Sequence, residues 1–194
     1  MTATTVAAAP LAPAMPSPPL RLSVAEFLTR YADVPNAELV DGFVKEQPMT
    51  SPRHGFLCMK IGAWIYNHVE ANDLGRVMSN DSRVQTGPDS VRGGDVLFFS
   101  YERLPRGEVP EGLLPVAPDL VVEVKSPNDT WVELFTKVVE YLKAGVRVVV
   151  VVDPGKSTVS VYRGDDQAVL RSDDTLTLPD VLPGFALPVA RLFA

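Results

Sequence analysis

A chain of 194 residues with 46% hydrophobic and 22% charged side chains has the composition of one globular domain, which excludes wholesale disorder. No stretch reaches the roughly 18 uninterrupted apolar residues of a membrane helix, and the single cysteine, Cys58, excludes an intrachain disulfide. The formal charge of −6 argues against nucleic-acid binding by broad charge neutralisation and leaves weak binding or a locally basic patch. No membrane association and a cytoplasmic location are the expectations.

Residues 1–20 hold five prolines, six alanines and no charge, which predicts a flexible tail ahead of one domain over 21–194. Ser23-Val24-Ala25-Glu26 fits a capping box, and Val24, Phe27, Leu28 and Tyr31 give a short amphipathic helix. Asp41-Gly42 between 37–40 and 43–46 is the strongest hairpin signal in the chain. Glu38 in its first strand is either an exposed hairpin glutamate or part of a site.

Ser51 and Pro52 fit the N-cap and first residue of a helix whose stripe is Leu57, Ile61, Trp64, Ile65 and His68. His54 falls one turn earlier on that stripe, either in the core or at a site edge. His54 and His68 cannot share an ion, since about 21 Å of axial rise separates them, so zinc is not expected. Cys58, in the same helix without an activating base, is expected to be a buried bystander. Strands are predicted at 75–79 and 83–86, and then from Asp95, which follows Gly93-Gly94 and opens an apolar run. Asp95 is a turn-closing residue or a ligand. Residues 100–117 are predicted as a Pro- and Gly-rich loop.

The stretch 118–125 reads as a strand, with Glu123 and Lys125 on one face roughly 7 Å apart. A carboxylate and an ammonium at the end of an apolar strand are costly to bury without partners. They form either an ion pair at a wet strand end or a hard-metal phosphodiesterase site. Asp119 lies about 13 Å from Glu123 along the strand, too far to share an ion, whereas Asp95 on a neighbouring strand about 4.8 Å away can. A helix over about 130–144, with Gly145 past its end, leads to the continuously apolar strand 148–152, completing a right-handed βαβ unit. A strand at 158–162 and two short β segments around Leu176 and Phe185 close the chain.

Taken in order, Glu38-Leu39-Val40-Asp41-Gly42, Ser51-Pro52-Arg53-His54, Asp95-Val96, 117–127, 140–146 and 182–188 resemble the PD-(D/E)XK nuclease superfamily. More narrowly, they resemble its Uma-type restriction endonucleases, over about residues 22–194. The resemblance implies an α/β fold with a restriction-endonuclease-like core, a central mixed β-sheet flanked by helices. It implies Asp95 and Glu123 as ligands of Mg²⁺ or Mn²⁺, Lys125 as the catalytic lysine, and DNA as substrate. Glu38 is a candidate to complete the shell. The family also tends to carry a lysine at the position of Lys137, and it usually has Pro where this chain has Gly94. Between the lysines, Lys125 is expected to contribute more, being on the face of Glu123. The function expected is a metal-dependent DNA endonuclease, acting as a homodimer because a duplex has two strands to cut. The alternative is a non-catalytic module of the same fold that binds DNA or a protein.

Overall fold

A computed structural model describes residues 20–194, so the expected tail lies almost wholly outside the described residues. The chain runs α1 (Val24–Arg30), β1 (Ala37–Val40), β2 (Phe43–Glu46), α2 (Pro52–Asn72), β3 (Gly75–Gly87), β4 (Ser90–Ser100) and β5 (Leu120–Val124). It continues through α3 (Trp131–Lys143), β6 (Val148–Asp153), β7 (Thr158–Arg163), β8 (Asp166–Leu170), β9 (Thr175–Leu178), β10 (Leu182–Pro188) and α4 (Val189–Phe193). Among the described residues no helix is long and apolar enough to cross a membrane.

Local chemistry sets the helix ends. Ser23 with Glu26 and Thr130 with Glu133 each form a reciprocal capping box, and Ser51 caps α2 ahead of Pro52. Past α3, Gly145 takes φ +97°, and Val146 N–H reaches back to the Tyr141 carbonyl, closing the helix. Asp41 and Gly42 both take positive φ, the twist that a two-residue hairpin requires, and β1 pairs with β2 across them.

One mixed sheet runs β2-β1-β4-β5-β6-β7-β8, with β3 paired along β4. Among the described residues only β5 and β6 pair in parallel, joined through α3. Both strands are buried on both faces, which explains their unbroken valines. Val122, Val124, Val150 and Val152 pack toward α2, β9, β10 and α4, while Val121, Val149 and Val151 pack with Leu134, Val138 and Tyr141 of α3. A third cluster joins Phe27 of α1 to Leu39 and Val91. The mixed sheet between helices is the architecture expected.

Three details differ from the sequence reading. β4 begins at Ser90, so Asp95 stands inside a strand and does not open one. β8 and α4 were not anticipated. His68 is half-buried, with its ring 3.0 Å from the Pro183 carbonyl and edge-on to Phe185, so it is not a core residue.

Candidate active site

The sheet splits where β4 passes from one neighbour to the next. Its start pairs with β1 at Leu39↔Val91, and its end pairs with β5 from Val96↔Val122 onward. Between those points the backbone of 92–95 has no strand on that edge, and buried main-chain groups need partners. Side chains stand in for the missing strand: Glu38 Oε1 accepts from Gly93 N–H at 3.3 Å, the Tyr141 hydroxyl oxygen lies 3.2 Å from the Gly93 carbonyl, and on the β5 side Asp95 Oδ2 accepts from Val124 N–H at 2.7 Å.

That split opens into a cavity of about 540 Å³ lined by Glu38, His54, Asp95, Glu123 and Lys137, among others. Asp95 and Glu123 each lie one residue beyond the last pair, Val96 and Val122, where the strands part, and both line the cavity. Gly94 makes the approach possible: a Cβ there would lie 2.6 Å from Leu97 and 3.1 Å from Val121.

Glu123 is buried and held by Tyr141, whose hydroxyl donates to Oε1 at 2.7 Å. Burial pushes its carboxyl up, Asp95 and Glu38 add to the push, and Lys137 and Tyr141 oppose it, leaving it at about 7. Lys137 reaches in from α3, 2.8 Å from Glu38 Oε1 and 3.9 Å from Glu123 Oε2. Burial alone would lower the ammonium's pKa, but Glu123 and Glu38 outweigh it and hold Lys137 charged.

Glu38 is 3% exposed, which rules out the exposed hairpin glutamate. Its carboxylate takes Lys137, Arg92 at 3.0 Å and Gln47 at 2.7 Å. Burial raises its pKa, yet Lys137 and then Arg92 and Gln47 bring it below the ordinary value. Those partners make it an anchor for the lysine. Arg92, which the sequence reading passed over, is 5% exposed and bridges Glu38 to Glu140, the latter through Nε at 2.7 Å and a second nitrogen at 2.8 Å. Arg92→Met should cost roughly 3–5 kcal/mol, because it leaves buried carboxylates short of a cation. Urea denaturation checks this; a loss below about 1 kcal/mol, the worth of a surface pair, would contradict it.

The remaining candidates fall apart from this group or beside it. Lys125 lies past the end of β5, and its ammonium contacts the Ser126 carbonyl at 3.1 Å. Asp119 is bound to Ser100 N–H, Arg103 and Arg147, a structural set away from the cavity. His54 is at the site edge: Nε2 is 3.3 Å from Asp95 Oδ2, and Nδ1 is 3.4 Å from Cys58 Sγ. Burial pushes the imidazole pKa down, but Asp95 more than offsets it.

A family model, Uma2, described as "Putative restriction endonuclease", matches residues 24–190. The chain belongs to the Uma2 family. Among solved structures, a crystal structure described as "a putative nuclease belonging to DUF820" from Anabaena variabilis superposes with a TM-score of 0.80. It shares 25% identity over 89% of this chain and 97% of its own. No curated protein matches the chain. Both the nuclease-like fold and the Uma2 assignment agree with the resemblance drawn from the sequence motifs.

The donor set suits a divalent ion. Glu38, Asp95, Glu123 and Glu140 bring four carboxylates, against the permanent cations Arg92 and Lys137. A hard divalent cation between Asp95 and Glu123 would offset the surplus, and carboxylate oxygens are its preferred ligands.

Proposed function

We propose that this Uma2 protein is a DNA endonuclease dependent on Mg²⁺ or Mn²⁺, with Asp95 and Glu123 as ligands and Lys137 as the lysine beside the reacting phosphate. The observation that carries the reading is the meeting of Asp95, Glu123 and Lys137 at one cavity, with carboxylates in excess of cations. A bound ion would supply a more acidic water and neutralise phosphate charge.

The chain's own groups do the positioning. Glu38 fixes the Lys137 ammonium, and Lys137 together with Arg92 keeps Glu38 ionised. Tyr141 orients Glu123, and Val124 N–H orients Asp95, so neither carboxylate has to be ordered when substrate arrives. Lys137, held charged inside a half-closed site, is positioned to stabilise charge developing on a phosphate oxygen.

Supercoiled plasmid is the test substrate. Purified protein should nick it with Mg²⁺ or Mn²⁺ and not with chelator, while a preparation of Asp95→Ala made in parallel should leave it intact. Cleavage without metal, or equal cleavage by the variant, overturns the assignment. Cutting both strands requires two such sites, which a symmetric pair supplies. Light scattering should therefore report a homodimer; a 21.0 kDa species at all concentrations contradicts that part.

A further inference from the structure

His54 and Cys58 stand four residues apart on the inner face of α2, 6% and 8% exposed, and both face Asp95. Cys58 Sγ is 3.9 Å and Asp95 Oδ2 is 3.3 Å from His54 Nε2, and one donor from each residue falls within 4.8 Å of the others. Tetrahedral zinc, with bonds of about 2.0–2.3 Å, holds its ligand atoms roughly 3.3–3.8 Å apart. The two distances from His54 Nε2 are near that spacing, and the adjoining cavity can supply a fourth ligand from water or substrate. Thiolate and imidazole favour Zn²⁺ and its neighbours, while magnesium prefers oxygen. These donors thus differ in kind from the Asp95–Glu123 pair next to them.

We propose that His54, Cys58 and Asp95 form a second site, one for a soft divalent cation of the Zn²⁺ class. Occupying it draws Asp95 away from the hard ion and switches the site off. On binding, the Cys58 S–H bond breaks, its proton passes to solvent, and the sulfur bonds the ion. Only the inhibitory consequence rests on the nuclease reading; the binding does not.

Cobalt(II) is the probe, because thiolate ligation gives a charge-transfer absorption that oxygen and nitrogen ligands do not. Cys58 is the only cysteine in the chain, so such a band in the wild-type protein can come from nowhere else. The expected result is a band that saturates at one Co²⁺ per chain and that Zn²⁺ displaces. Both Cys58→Ala and His54→Ala should lose the Zn²⁺-induced rise in melting temperature, and Cys58→Ala should lose the band. No band at saturating Co²⁺ in the wild type overturns the site, whether or not the variants fold. Zn²⁺ at one equivalent should suppress plasmid cleavage in the presence of excess Mg²⁺; a cobalt band together with unaffected cleavage overturns the antagonism. If the protein binds cobalt through Cys58 but never cuts DNA, the nuclease reading fails and the soft-metal site stands.

Discussion

Lys137→Met should lower metal-dependent plasmid cleavage by about 10²–10³-fold, the loss typical of removing one preorganised group that stabilises developing charge. Lys125→Met should keep most of the activity. Lys137 Nζ is 3.9 Å from Glu123 and is held by Glu38, whereas the Lys125 ammonium rests on the Ser126 carbonyl. The Met variant should still fold, because Glu38 keeps Arg92 and Gln47 as partners. A thermal melt on both variants separates lost chemistry from lost structure. Glu38→Gln should fall between the two, since it loosens the lysine without removing it. If Lys125→Met loses as much as Lys137→Met, the helix lysine does not hold the role.

That prediction reverses the sequence-based expectation, for a definite reason. Alternation along a strand does place Glu123 and Lys125 on one face, but only while the strand lasts. β5 ends at Val124, and Ser126-Pro127 turns the chain, so the parity argument expires one residue before it is needed. Lys137 was marked only by the family resemblance, as a residue in the middle of the crossover helix. Its approach to Glu123 depends on how α3 lies across the sheet, which no local pattern encodes.

The same division runs through the fold. Caps and turns were readable because their chemistry is local: Ser23 with Glu26, Ser51 with Pro52, Gly145, and Asp41-Gly42. The valine run of β6 announced a strand covered on both faces. What depended on distant partners was not readable. Glu38 stayed open between hairpin surface and site because its hairpin is short; the pairing of Leu39 with Val91, 52 residues on, is what buries it. Gly93-Gly94 looked like a strand start because glycines punctuate; here they let β4 continue through the split between β1 and β5. β8 escaped notice because its Asp166–Val169 stretch is exposed throughout, leaving no alternation to detect. Cys58 is buried as expected, but its nearness to Asp95, which arrives from another element, was not readable. Tyr141, buried on the inner side of α3, carries the hydroxyl that holds Glu123.

Glu123→Gln should abolish cleavage and, without metal, make the protein more stable than wild type at pH 8. The Glu123 carboxyl is raised from its ordinary 4.5 to about 7, chiefly by burial. Below pH 4.5 it is neutral in both folded and unfolded chains and costs nothing. As pH rises from 4.5 to about 7, the unfolded chain releases the proton first, so folding loses stability across that window. Above it the loss levels off at about 3 kcal/mol. Gln has the same shape, still accepts from Tyr141 and never ionises, so the variant should gain on wild type by about that amount between pH 5 and pH 8. Divalent metal acts in the opposite direction: at 100 times its dissociation constant it should add about 2.7 kcal/mol to wild type, and much less to the variant. Urea denaturation of both proteins at pH 5 and pH 8, with Mg²⁺ or chelator, reads all of these quantities. A Gln variant less stable than wild type at pH 8 without metal would mean that Glu123 is a structural ion pair with Lys137. Equal metal shifts in the two proteins would place the ion elsewhere.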